Sequence, residues 1–248
     1  IFIFTIYTIF RQKRLSEIKN DFINNMTHEF KTPISTISLA AQMLRDPSVG
    51  KSEAMFNHIS GVIVDETKRL RFQVEKVLQM SMFDRKAATF KRKELDANLL
   101  VQDTVNTFRL KVEATGGTID THLDADDSIV FVDEMHFTNV IFNLMDNAVK
   151  YKAPDRDLQL FVSTYNESGR MVIAIEDNGI GIKRDDLKKI FDKFYRVHTG
   201  NRHDVKGFGL GLAYVHNVVK ALGGTIHAES ELGKGTKFII SLPIMGQD

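Results

Sequence analysis

Three groupings of side chains in this sequence have the types and spacing to do chemistry. The first is a histidine beside a glutamate, His28-Glu29, inside Phe22 to Thr36, FINNMTHEFKTPIST. Thr32 follows one helical turn after His28. A neutral imidazole is a nucleophile and a proton carrier, and an adjacent carboxylate can hold or take the proton of its other nitrogen. Taken alone, an exposed histidine is also ordinary surface. The second grouping is NVIFNLMDNAVKYK, in which Asn139, Asn143 and Asn147 recur every fourth residue and share one helical face. Asparagine is a poor helix former, so three on one face ask for a reason. Carboxamide oxygens suit Mg²⁺, and Lys150, one turn beyond Asn147, suits phosphate. A solvated polar face with an occasional loop cap would give the same spacing.

The third grouping is glycine-rich. In DNGIGI, Asp177 to Ile182, Gly179 and Gly181 allow a tight turn and the close approach of a flat ligand. Asp177 at the strand end can accept a hydrogen from an adenine amino group. Asp-Asn-Gly is equally a plain turn. In GFGLGL, Gly207, Gly209 and Gly211 open a helix and free backbone N–H groups that suit an anion. No Gly-Lys-Ser/Thr follows, and the dinucleotide fingerprint has a different spacing. Between the two lies FDKFYR, Phe191 to Arg196, which begins a polar, basic loop.

These groups need elements to position them. Leu15, Ile18, Phe22, Met26, Phe30, Ile34, Ile37, Ala41 and Leu44 step by threes and fours, which predicts one amphipathic helix from Leu15 to Leu44. His28, between Met26 and Phe30, then projects away from the apolar stripe, and Pro33 predicts a local bend. Asp46, Pro47 and Gly50 mark a turn, and Phe56, Ile59, Ile63, Leu70, Val74 and Val77 trace a second helix. Two such helices form an antiparallel hairpin. A hairpin encloses little core, so a second copy completing a four-helix bundle is expected, making the chain a homodimer.

From Phe83 to Lys93 the sequence FDRKAATFKRK is polar and aperiodic, the signature of a linker. Beyond it come a helix at Leu99–Val112, strands at Thr118–Leu123 and Ile129–Val132, and a helix at Glu134–Tyr151. Strands at Leu158–Tyr165 and Met171–Glu176 follow, then a helix at Leu210–Leu222 and strands at Thr225–Ser230 and Thr236–Leu242. Strand pairs beside segregated helices give an α+β sandwich.

A hydrophobic content of 43% with 26% charged residues describes a globular chain. A net charge of +1 gives no electrostatic case for nucleic acid. With no cysteine, disulfides and thiolate metal sites are excluded, and the eight histidines show no ligand spacing. The opening IFIFTIYTIF is apolar almost throughout and is followed at once by Arg11, Gln12, Lys13 and Arg14. The economical reading is the last turns of a transmembrane helix with a basic cytoplasmic anchor. A buried strand or a packed helix start is the alternative.

The joined motifs resemble the cytoplasmic core of a membrane-bound sensor histidine kinase of two-component signalling. HEFKTP resembles the family's phosphoacceptor box, NLMDNAVKY its asparagine box, DNGIGI and GFGLGL its glycine boxes, and FDKFYR its phenylalanine box. Five boxes in order, over residues 15 to 242, make the resemblance specific. Phe30 stands where leucine is usual, and Lys152-Ala153-Pro154 where a small polar residue is commoner.

The resemblance implies residues 1–14 as membrane end and anchor, 15–82 as the dimerisation and phosphotransfer domain, 83–93 as linker and 94–248 as the ATP-binding domain. That domain would have the fold of gyrase- and chaperone-type ATPases, with a mobile lid between the glycine boxes. It implies that Asn147 ligates Mg²⁺ with Asn143 nearby, Lys150 contacts phosphate, Tyr151 packs near adenine and Asp177 binds its amino group. Gly179, Gly181, Gly207, Gly209 and Gly211 would shape the pocket and lid, and Thr236, after Gly235, would be a late adenine-side contact.

The expected activity is protein-histidine kinase. ATP phosphorylates His28, with Glu29 orienting the ring, and the group passes to an aspartate of a response-regulator receiver domain. Thr32 would position water for dephosphorylating that regulator. Hydrolytic relatives carry a glutamate at the place of Asn143, and an amide cannot accept water's proton, so slow ATP hydrolysis is expected. The implied location is the inner membrane, with this region on the cytoplasmic side. Two other classes remain: an ATP hydrolase of related fold, and an inactive dimeric scaffold.

Overall fold

The computed structural model describes residues 2–46, 49, 52–84, 90–197 and 209–245. The chain divides into two compact units, residues 1–87 with 206–210 and residues 88–205 with 211–248.

The first unit is a pair of long helices, α1 (Phe2–Met43) and α2 (Glu53–Asp84). At 42 residues α1 is about 63 Å long. It begins much earlier than the periodicity from Leu15 predicts, because the apolar opening and the basic cluster continue the same helix. The strand alternative for the opening is thereby overturned. The bend expected at Pro33 does not break α1, although proline removes the N–H that would have met the carbonyl of Glu29. Ser52 caps α2, its Oγ accepting from the Met55 N–H at 3.4 Å. Pro47 and Gly50 of the predicted turn lie outside the described residues. Ala40, Val49 and Ile59 form the small core between the helices, flanked by Leu44, Val62 and Ile63.

The second unit contains β1 (Lys93–Asp96), α3 (Ala97–Glu113), β2 (Thr118–Leu123), β3 (Ile129–Val132) and α4 (Glu134–Lys150). It continues with β4 (Gln159–Glu167), β5 (Arg170–Asp177), a single turn α5 (Arg184–Leu187), α6 (Gly211–Ala221), β6 (Thr225–Glu231) and β7 (Gly235–Pro243). Among the described residues, five strands form one sheet in the order β2-β4-β5-β7-β6. The β2–β4 pair is parallel and the others antiparallel. β1 and β3 pair separately. This ribbon buries Val130 and Val132 of β3, and contacts beside it fasten the start of the unit: the Lys91 N–H donates to Asp133 Oδ2 at 2.8 Å, and Phe90 packs its ring against His136.

Helices α3, α4 and α6 lie side by side over the sheet. Phe108, Phe137, Ile141, Leu144 and Met145 from the helices meet Leu160, Ile173, Ile175, Ile240 and Leu242 from the strands, all essentially fully buried. Local chemistry sets the boundaries. Asp96 caps α3 through the Asn98 and Leu99 N–H groups, and Asp133 caps α4 through that of His136. β4 turns into β5 through Ser168 (φ 49) and Gly169 (φ 71), the pair of positive angles that a two-residue type I′ hairpin requires.

Candidate nucleotide site and phosphoacceptor helix

The ends of α4, β5 and β7 converge on a cleft of about 650 Å³, open to solvent. Asn147 and Tyr151 reach it from the last turn of α4, Asp177 from the end of β5, and Thr236 from the start of β7. Apolar walls come from Ile180, Ile182, Ile190, Leu212 and Phe238, and Arg196 adds a cation. An apolar slot with a few convergent polar groups suits a flat heterocycle carrying a charged tail.

Asp177 is the most perturbed group lining it. Burial pushes its carboxyl up to about 6, even though N–H groups of Gly179 and Thr236 pull it down, and the neighbouring charge of Glu176 pushes further upward. The Gly179 N–H donates to Asp177 Oδ1 at 2.8 Å. Gly179 has no room for a side chain, since a Cβ there would stand 2.5 Å from the Tyr151 carbonyl oxygen. Gly181 adopts φ +69 and a Cβ there would overlap the Glu231 carbonyl, so the turn requires glycine on both counts. Burial also raises the Tyr151 phenol, opposed by the charge of Arg196. Thr236 is buried, and its hydroxyl lies 2.9 Å from that of Ser230. Ser230 in turn accepts from the Ile182 N–H at 2.8 Å, linking the first glycine turn to β6.

The asparagine face divides its work. Asn147 lines the cleft. Asn143 donates its Nδ2 to the Asn139 carbonyl at 2.7 Å, and its Oδ1 faces the start of α6 at Gly211. Lys150 is bound to Asp146, Nζ to Oδ2 at 2.6 Å, and Lys111 holds the other oxygen of the same carboxylate. Burial acts to raise Asp146, but the two lysines outweigh it and hold the carboxyl below its ordinary value. Lys150 thus starts from an ion pair one turn back on its own helix. Gly209 has φ +67, and Gly207, with residues 198–208 of the stretch where a lid is expected, lies outside the described residues.

In the helical unit His28 and Thr32 are exposed on α1, and Glu29 is half-buried. The Thr32 hydroxyl donates to the His28 carbonyl at 3.3 Å, which keeps it on the histidine's side of the helix. Within the α/β unit the structure gathers Asn147, Tyr151, Asp177, Gly181 and Thr236 into one cleft, with Asn143 and Gly211 adjacent to each other. Sequence reasoning missed Ser230, Asp146 with Lys111, and Arg156, which donates to three backbone carbonyls around the first glycine turn. It also missed a buried pair, His136 Nδ1 and the Tyr214 hydroxyl at 2.8 Å. Among these, the spacing of Asp146 and Lys150 by four was a visible signal. Among the described residues no group of histidine and carboxylate side chains could hold a metal, and no helix is long and apolar enough to cross a membrane.

Residues 18–86 match the His Kinase A (phospho-acceptor) domain family. Residues 132–245 match the histidine kinase-, DNA gyrase B- and HSP90-like ATPase family. The sensor protein RprX of Bacteroides fragilis is 71% identical over 247 residues, which cover 100% of this chain and 48% of that protein. The sensor histidine kinase WalK of Bacillus subtilis is 30% identical over 96% of this chain and 39% of its own. The chain thus spans about half, or less, of the length of these relatives. A crystal structure of the histidine kinase ThkA in complex with the response regulator protein TrrA superposes with a TM-score of 0.63 at 21% identity, covering 95% of this chain and 64% of that one. A phospho-acceptor helix pair followed by this ATPase fold, with relatives matched along the whole chain, fixes the family: the chain belongs to the sensor histidine kinases of two-component systems.

Proposed function

We propose that this chain is the catalytic core of such a kinase: it transfers the γ-phosphoryl group of ATP to His28 and passes it to an aspartate of a response-regulator receiver domain. The observation that carries the reading is the pairing of one cleft, lined by Asn147, Tyr151, Asp177 and Thr236, with an exposed His28, beside a half-buried Glu29, on a separate helical unit. Residues 15–82 serve as the phosphotransfer domain, 94–248 as the ATP-binding domain, and 83–93 as the linker between them.

Asp177 accepts the adenine amino hydrogen, with Thr236 beside it on the neighbouring strand. Tyr151 and the apolar walls cover the ring. Arg196 and, once released from Asp146, Lys150 meet phosphate. The neutral carboxamide oxygen of Asn147 fits Mg²⁺, which takes hard oxygen donors and keeps several waters, and Asn143 is the second candidate. Bound there, Mg²⁺ would neutralise charge on the phosphates. A His28 ring nitrogen attacks the γ-phosphorus, the bond to the bridging oxygen breaks, and ADP leaves. Glu29 holds the proton of the other ring nitrogen and supports the developing positive charge. Positioning and charge neutralisation supply most of the acceleration in such a loose transfer. The amide of Asn143 takes no proton from water, which preserves ATP for His28.

Half-exposed apolar side chains on both helices support a homodimer that completes a four-helix bundle. Membrane attachment rests on the start of α1, where Phe2 and Phe4 are 78% and 74% exposed ahead of the basic cluster. It would hold the chain at the inner membrane with these units on the cytoplasmic side. The complex with a regulator is a property of the ThkA structure and supports the same partner class here.

The test is transfer. The chain, labelled from γ-labelled ATP, is mixed with a panel of receiver domains. Label should leave the kinase and reach the acceptor aspartate of at least one receiver within minutes; label that stays on the chain with every receiver contradicts the reading. In the same mixture Thr32→Ala should slow the later loss of label from the receiver, because Thr32 positions the attacking water.

A further inference from the structure

Arg156 lies in the loop between α4 and β4 and lines no part of the cleft, yet two of its guanidinium nitrogens serve the first glycine turn and its neighbour, while Nη1 lies 4.0 Å from Asp155 Oδ2. Nε donates to the Asn178 carbonyl at 2.7 Å, and Nη2 to the carbonyls of Gly179 at 3.1 Å and Gly233 at 2.5 Å. The Asn178 carbonyl belongs to the same peptide plane as the Gly179 N–H. In a trans peptide those two groups point in opposite directions. The plane that Arg156 holds by its oxygen is therefore the plane whose N–H reaches Asp177 Oδ1 at 2.8 Å. A cation on the carbonyl side also polarises the amide and strengthens its donor end. The second nitrogen ties this turn to the β6–β7 turn at Gly233, and the Gly233 N–H returns a bond to the Ile180 carbonyl at 2.7 Å.

We propose that Arg156 is a positioning residue that sets base specificity: through the Asn178–Gly179 peptide it orients the Asp177 carboxylate as an acceptor for the amino group of adenine. The inference rests on the nucleotide reading above. Arg156 lines no part of the cleft, so its effect on binding passes through the Asp177 contact, where adenine offers an amino hydrogen and guanine a carbonyl oxygen.

The experiment measures dissociation constants for ATP and GTP, with Mg²⁺, on the whole chain and on Arg156→Ala and Arg156→Lys. The unsubstituted chain should prefer ATP. In Arg156→Ala the constant for ATP should rise by about tenfold, the loss of one well-oriented charge-assisted relay, while that for GTP stays unchanged. Arg156→Lys should recover only part of the preference, since an ammonium cannot reproduce a planar fork shared among three carbonyls. Equal weakening towards both nucleotides in the two variants would mean that Arg156 only braces the loops, and would overturn the proposal. So would an unchanged ratio of ATP to GTP affinity. If the unsubstituted chain binds neither nucleotide, the nucleotide reading itself fails and takes this inference with it.

Discussion

The helical pair leaves its large apolar side chains half in water, with Ile34 at 53%, Leu39 at 60% and Phe56 at 48% exposure, whereas Phe108 and Phe137 of the α/β unit are each at 1%. Both regions carry regular amphipathic helices, so propensity does not separate them. The difference lies in what covers the apolar face. In the α/β unit, α3, α4 and α6 find a sheet; in the hairpin the helices pack on each other, and among the described residues Ala40, Val49 and Ile59 form a small hydrophobic core between them. A nucleotide site needs a rigid frame within one chain, and the α/β unit supplies it. On the proposed function, the phosphoacceptor helix would keep one face for a second copy and leave the exposed His28 to its substrates.

The largest effect should come from the self-sufficient half. Phe108→Ala removes a fully buried ring and should destabilise the α/β unit by about 3–5 kcal/mol, read by chemical denaturation. The loss should not depend on protein concentration. Ile34→Asp should do the reverse: it places a charge on the half-covered stripe, shifts sedimentation from dimer to monomer and leaves nucleotide affinity intact. A dimer that survives Ile34→Asp would break the comparison at its hairpin half.

The smallest effect sharpens it within the site. Asp177 has its carboxyl raised to about 6 from an ordinary 3.8, first by burial. Between these values the folded chain binds more protons than the unfolded one, so this group makes stability fall as pH rises from about 4 to about 6, and contributes no further slope above that. Denaturation curves across this range should show that fall, and Asp177→Asn should remove its share. ATP affinity should move the opposite way, dropping as pH falls through about 6 because the protonated carboxyl is a poorer acceptor.

Much of this was legible in the sequence, for identifiable reasons. Strands β2 and β3 fall where apolar alternation places them, at Thr118–Leu123 and Ile129–Val132, and α2, α3, α4 and α6 follow their stripes to within a few residues. Asp177, Gly179 and Gly181 announce their turn because only glycine tolerates its close approaches. What escaped has its cause far away in sequence. β1 reads as KELD at the end of a polar linker and is a strand because Glu94 and Leu95 pair with Phe131 and Val130. The opening is helical, as its reading as the last turns of a helix expects, but it runs without a break into the stretch from Leu15, so that α1 begins at Phe2. Arg156 gives no local signal, since its acceptors are backbone carbonyls 22, 23 and 77 residues distant. Lys150 reads as a free phosphate ligand until Asp146 is seen to bind it, its other carboxylate oxygen being held by Lys111.

The central claim is that ATP held by the α/β unit phosphorylates His28 on the helical unit. Incubation of the whole chain with Mg²⁺ and γ-labelled ATP, alongside His28→Ala, tests it directly. The account predicts a label on the chain that is lost in acid and survives alkali, and no label in the variant, which still binds ATP. A label of unchanged strength in the variant, or none on the unsubstituted chain despite ATP binding, would contradict it.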